Sequence, residues 1–210
     1  MHRITLIGVG PGGSDYVTFR AVKCAQNCEV LIGMKHQIAA IGEITGKVIY
    51  EENRIEEILN LIGKNEGKTV GVLITGDAGI YSLSEKIMER FGRNSVTEIV
   101  PGISSIMAAF SKIKEQWLNV QIISVHGRPL DGLNDAPNHE RVAILCDRKN
   151  NSSLVVKTLS QMGILNRSKT VYVCRNITCD NEQTIEVNTI ADLNIPDEND
   201  KEVVIIVPRR

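Results

Sequence analysis

Short apolar runs rich in β-branched residues alternate through the first half of the chain with stretches whose apolar positions recur every three or four residues. Runs of the first kind suit strands buried on both faces, and stretches of the second kind suit amphipathic helices packed on them. The pattern predicts strands over 3–7, 29–32, 47–50, 69–74 and 96–100, and helices over 18–27, 55–64, 82–91 and 104–113. In the second of these helices Ile55, Ile58, Leu59 and Ile62 form one apolar stripe, with Asn53 placed as the N-cap. Strict alternation of strand and helix implies a mostly parallel sheet covered by helices.

Beyond the polar stretch 112–119 (KIKEQWLN) the pattern changes, which places a domain boundary there and divides the chain into 1–115 and 116–210. The second half predicts strands over 120–125, 141–145, 170–174, 183–187 and 202–207, with one helix from Ser152 or Ser153 to Met162. Its last three strands follow one another closely, so antiparallel pairing is expected among them. The segment 192–201, with Pro196 and four acidic residues, reads as an exposed turn. The expected fold class is therefore α/β with two α/β domains, the first mostly parallel and the second with a mixed sheet.

Composition narrows the function. Hydrophobic residues are 42% and charged residues 23%, and mean hydropathy is -0.05, values of a globular chain rather than a disordered or membrane one. The apolar start leads into a glycine loop instead of a cleavage site, so a cytoplasmic location is expected. With 24 Lys plus Arg against 25 Asp plus Glu and only 4% aromatics, neither a general polyanion surface nor a base-stacking platform for nucleic acid is present. An anionic partner must meet a local cluster. The five cysteines are an odd number without a CxxC pair and read as reduced thiols. Cys24 and Cys28 stand four apart without a third ligand at suitable spacing, so no metal site is expected.

Three glycine loops carry the chemistry. Gly8, Gly10 and Gly13 satisfy GxGxxG after a strand, the dinucleotide pattern. That reading requires a helix at the third glycine and an acid closing the second strand. Here Pro11 interrupts the loop, the helix waits until Thr18, and the second strand ends in Gly33, Met34 and Lys35 with Glu29 at its wrong end. The other loops are 75–81 (TGDAGIY) and 101–105 (PGISS), each after a strand. Three such loops at strand C-termini line one edge of a parallel sheet, where open α/β folds bind ligands, and glycine lets backbone approach closely. Lys35 and His36 are placed to line the same edge.

GVGPGG, TGDAGIY, PGISS and SVHGR, in this order and at these separations, resemble the tetrapyrrole (cobalamin-pathway) methyltransferase family over most of the chain. Within it, PGISS followed by SVHGR most resembles the members that methylate C5 of a cobalt-precorrin. The resemblance implies two α/β domains with S-adenosylmethionine between them, a tetrapyrrole (corrinoid precursor) substrate and a homodimer. It also implies cofactor contact at Pro11, Gly76, Asp77, Ile80, Tyr81, Ser104, Ser105 and Cys146. Ala78 stands where the family usually has proline, and 173–183 (VCRNITCDNEQ) departs from its common pattern.

Methyl transfer from a sulfonium is an in-line displacement that gains from alignment and exclusion of water and needs no enzymic nucleophile. A proton leaves afterwards, and Asp77 and His126 are the titratable residues of these motifs able to take it. A substrate bearing many carboxylates calls for cations, and His126 and Arg128 at a strand end are the candidate substrate contacts, Arg offering a bidentate fork. Asp147, Arg148 and Lys149 read as a solvated turn. Two alternatives stand beside this reading: the same fold acting on another ring carbon or on a protein side chain, as in diphthine synthases, and a non-catalytic metabolite sensor.

Overall fold

The structure is a computed structural model that describes residues 1–165, 168–193 and 201–209. It divides into two compact units, Met1–Ser104 and Ser105–Arg210.

The first unit contains β1 (Arg3–Gly8), α1 (Phe19–Asn27), β2 (Val30–Gly33), α2 (Lys35–Ile41), β3 (Val48–Glu51), α3 (Ile55–Lys64), β4 (Thr69–Ile74), α4 (Ser84–Phe91) and β5 (Val96–Val100). Its five strands are all parallel, in the order β3-β2-β4-β1-β5. Successive side chains of a strand point to opposite faces, and the core splits accordingly. Leu6, Ile32 and Val72 pack with Ile58, Leu59 and Ile62 of α3 and Ile87 of α4. Ile7, Leu31 and Leu73 pack with Ala21, Cys24 and Ala25 of α1 and Ile41 of α2. The apolar runs are continuous because both faces are covered.

Local signals set the helix ends. The Thr18 hydroxyl accepts from the Ala21 N–H at the start of α1, and the ammonium of Lys47 donates to the carbonyls of Ala25, Gln26 and Cys28 at its end. The expected N-cap of α3 is corrected. Asn53 does not cap it; the carboxylate of Glu52 accepts from the N–H groups of Asn53 and Arg54, 2.9 Å each. Helix α2 lacks a sequence prediction because seven residues starting Lys-His-Gln show too little period, and Gly42 ends it at φ 87°.

The second unit contains α5 (Ser105–Lys112), β6 (Val120–Ser124), β7 (Arg141–Leu145), α6 (Ser152–Gln161), β8 (Lys169–Arg175), β9 (Gln183–Val187) and β10 (Glu202–Pro208), with a 3-10 segment Leu130–Asn138. The sheet order is β6-β7-β10-β8-β9. Only β6 and β7 are parallel; β10 runs antiparallel to β7 and β8, and β9 to β8. Val155, Val156 and Leu159 of α6 pack with Val142, Ile144, Val171, Val204 and Ile206. The other face of β10, Val203, Ile205 and Val207, is also buried, and α5 touches that strand. That contact explains why the break between units falls before α5, earlier than the polar stretch where the sequence changes character. Of the expected turn 192–201, residues 194–200 lie outside the described residues.

Candidate functional site

In the first unit the three glycine loops leave the C-terminal ends of β4, β1 and β5, which are neighbours in the sheet. The loops meet through backbone. Gly10 and Gly76 form an antiparallel bridge, with the Gly76 N–H donating to the Gly10 carbonyl at 2.7 Å. Both have positive φ, 79° and 72°, a region open to glycine. A Cβ on Gly8 would lie 2.6 Å from the Gly102 nitrogen and 2.9 Å from the Gly76 carbonyl oxygen. The glycines therefore let three loops touch each other.

Asp77 fastens this cluster. One carboxylate oxygen accepts from the Gly79 N–H at 2.7 Å, and the other from the Gly102 N–H at 2.9 Å. Ser82 and Ser84 both donate to the Ala78 carbonyl, which stiffens the turn where the family pattern would place proline. Tyr81, at φ 43°, leaves this loop 53% exposed. Pro11 and Ser104 are buried, while Ile80 and Ser105 are half-buried. The β2 end joins the same edge. Gln37, which is buried, donates to the Thr75 hydroxyl at 2.9 Å and accepts from the Met34 N–H. His36 Nε2 lies 3.2 Å from the same hydroxyl. Lys35 is exposed.

The dinucleotide pattern fails on geometry. After Gly13 the chain enters a 3-10 turn, Ser14–Tyr16, and α1 begins only at Phe19. No helix N-terminus opens at the third glycine, so the element that would hold a pyrophosphate is missing from that position.

In the second unit two loops follow the parallel neighbours β6 and β7. His126 Nδ1 lies 3.3 Å from the Cys146 carbonyl. A carbonyl only accepts, so Nδ1 carries a proton in this contact. The Gly127 N–H donates to Asp147 Oδ2 at 2.5 Å, and Asn150 Nδ2 donates to the carbonyls of Val125 and Arg128 at 2.8 and 2.9 Å. Burial pulls the Asp147 carboxyl upward in pKa, but hydrogen bonds from the N–H groups of Asn150, Gly127 and Lys149 outweigh it and hold the group below its ordinary value.

Behind these loops lies a buried ion pair. Arg175 Nε is 2.7 Å from Glu202 Oε1, with both side chains out of contact with water. Arg175 also donates to the Ser152 hydroxyl, and the Ser152 N–H donates to Glu202. The Glu202 carbonyl accepts from the Cys146 N–H. The pair thus anchors both ends of the 146–152 segment. Cys146 itself is buried, and burial pushes its thiol far up.

A family model, Tetrapyrrole (Corrin/Porphyrin) Methylases, matches residues 3–194. The chain belongs to this family.

Among similar proteins is a probable cobalt-precorrin-7 C(5)-methyltransferase of Methanocaldococcus jannaschii, 32% identical over 187 residues, 86% of each chain. A cobalt-precorrin-7 C(5)-methyltransferase of Salmonella typhimurium is 24% identical over 180 residues, covering 86% of this chain and 88% of that one. The solved uroporphyrin-III C-methyl transferase of Thermus thermophilus, complexed with S-adenosylhomocysteine, shares the fold at a TM-score of 0.76 and 18% identity, covering 98% of this chain and 97% of that one.

On this tetrapyrrole methylase, Gly76, Asp77, Ile80 and Tyr81 share one loop, which backbone and Asp77 tie to the loops carrying Pro11 and Ser104. His126, Arg128 and Cys146 share the loop pair of the second unit. Asp147 and Asn150 went unread as fasteners; the signal was an acceptor three residues before an amide, D-R-K-N, the pattern of an Asx turn. Thr75 and Gln37 carried no such local signal, because their partnership spans 38 residues.

Proposed function

We propose that this tetrapyrrole methylase is an S-adenosylmethionine-dependent C-methyltransferase of cobalamin (corrin ring) biosynthesis that methylates C5 of cobalt-precorrin-7, working as a cytoplasmic homodimer. The observation that carries the cofactor assignment is the chemistry of the three clustered loops. GVGPGG, TGDAGIY and PGISS hold backbone donors and acceptors, one tyrosine ring and one carboxylate, without a single Lys, Arg or His. Such a set suits a nucleoside bearing a sulfonium cation and offers no charge complement to a pyrophosphate. The residues fit the cofactor: Gly76, Asp77, Ile80 and Tyr81 would hold it with Pro11, Ser104 and Ser105. The names of the two curated relatives support C5 as the ring position.

When bound, the cofactor supplies an electrophilic methyl group. It would pass that methyl group to a ring carbon and leave as a neutral thioether. The loops of this chain hold the reactants in line and keep water out. The methylated carbon then releases its proton. Of the two candidate bases, Asp77 has both oxygens engaged by backbone donors, whereas His126 is held through Nδ1 and has Nε2 as its other nitrogen for proton transfer. His126 is therefore assigned as the base.

Calorimetric titration tests the cofactor reading: S-adenosylhomocysteine should bind and NAD should not, and tight NAD binding without the thioether overturns it. His126→Gln should lower kcat by about two to four orders of magnitude, the range of general-base catalysis, with thioether affinity within about twofold. Unchanged kcat removes His126 from the proton transfer.

A further inference from the structure

The turn after β7 looks like solvent-exposed chain in sequence, yet it is tightly built. Asp147 Oδ1 accepts from the N–H groups of Lys149 and Asn150 at 2.8 and 2.6 Å, and the Asp147 N–H donates to the Asn150 carbonyl. Asp147 Oδ2 reaches across to the Gly127 N–H, and the Asn150 amide, only 9% exposed, bonds to two carbonyls of the 125–128 segment. Two adjacent strand-end loops are thereby locked into one piece. Arg148 and Lys149 stand exposed at the tip of the turn, and Arg128 is exposed on the loop beside it.

This arrangement sets two cations, Arg148 and Lys149, on one short turn whose one acid, Asp147, is spent on three backbone N–H groups. Among the described residues Arg148 and Lys149 make no ion pair. Fixing like charges close together is unfavourable in itself, and the hydrogen bonds that fix them would serve equally well with neutral residues at the two tip positions. The concentration also contrasts with the chain's overall charge of -1 and with the cation-free glycine loops. Its position, beyond the C-terminal ends of neighbouring parallel strands, is where α/β sheets place ligands.

We infer that Arg148 and Lys149, together with Arg128, form a carboxylate clamp that receives peripheral side-chain carboxylates of the tetrapyrrole. The inference rests on the methyltransferase reading above and adds to it the residues that select a polyanionic ring over a neutral one. Arg148 supplies a planar fork for bidentate binding, and Lys149 a point charge beside it. Because the turn is rigid before binding, little ordering entropy is lost when the carboxylates arrive.

The test uses Arg148→Gln, Lys149→Gln and the double variant of the full chain. Affinities are measured for cobyrinic acid, a corrin polycarboxylate, for dicyanocobinamide, a corrinoid whose side chains are neutral amides, and for S-adenosylhomocysteine, at low and high salt. Each single variant should bind cobyrinic acid roughly threefold to tenfold more weakly, the range of exposed to hydrogen-bonded charge pairs. The double variant should lose more and show a flatter salt dependence, with dicyanocobinamide and the thioether unchanged within about twofold. Unchanged cobyrinic acid affinity in the double variant overturns the clamp, as does an equal loss for the thioether. Displacement of cobyrinic acid by millimolar inorganic phosphate would mark a general anion patch and also overturn it. A wild-type chain that binds the thioether but no corrin polycarboxylate overturns the clamp alone, and one that binds neither overturns the methyltransferase reading as well.

Discussion

An alanine Cβ at Gly102 would overlap the Gly76 carbonyl oxygen and lie 2.8 Å from the Gly8 carbonyl carbon. Both neighbours are backbone atoms of other loops, so neither can swing aside. Gly102→Ala should therefore destabilise the first unit by about 1–3 kcal/mol, the usual range for overpacking, and weaken S-adenosylhomocysteine binding by parting the loops. Gly63, near the end of α3, has nothing within 4 Å of such an atom, and Gly63→Ala should stabilise by about 0.5–1 kcal/mol through helix propensity alone. Thermal melts and calorimetric titration of the two variants read both outcomes; a neutral Gly102→Ala would show the loops to be loosely joined. At this scale the glycines were legible as places where backbone approaches closely, but their contact with one another was not, because an approach between loops far apart in the chain has no local signature.

Helix α3 shows an element whose body was legible and whose start was not. Of the expected stripe, Ile58, Leu59 and Ile62 are buried, but Ile55, in the first turn, stays exposed. No side chain caps its first N–H groups; the Glu52 carboxylate instead fixes the approach to the helix, accepting from the N–H groups of Asn53 and Arg54 just before it. The Arg54 guanidinium, with the N–H groups of Arg54 and Asn53, lowers the Glu52 carboxyl from 4.5 to about 2. A carboxyl with a depressed folded-state pKa stabilises fully above its ordinary pKa and loses that stabilisation as pH falls through the folded value. The melting temperature of Glu52→Gln should thus lie below wild type near neutral pH, and the gap should close between about pH 5 and pH 2. A gap independent of pH would mean the carboxylate's charge plays no part at this helix start. Helix α2 was missed outright, since it is held by Gln37 and Thr75 across the sheet edge rather than by its own periodicity.

Across the whole chain, the two-sheet architecture and the antiparallel character of the second sheet were readable from strand spacing, while α5 was grouped with its predecessors because alternation alone cannot say which strand a helix packs on. The two sheets also differ in how their strand order relates to the order of synthesis. All strands of the first sheet are present once Val100 has been made, whereas β10, at 202–208, sits between β7 and β8 in the middle of the second. Until β10 arrives, both neighbours present an unpaired edge lined by apolar side chains. A chain stopped after Leu193 should keep a protease-resistant fragment ending near Ser104 and lose protection beyond it, as limited proteolysis followed by mass spectrometry would show. Equal protection of both halves would contradict this. During translation, then, the first half can settle while still attached to the ribosome, but the second must wait with its strands exposed until its central member emerges, which makes that interval the time when the nascent chain is most exposed to aggregation and most dependent on chaperones.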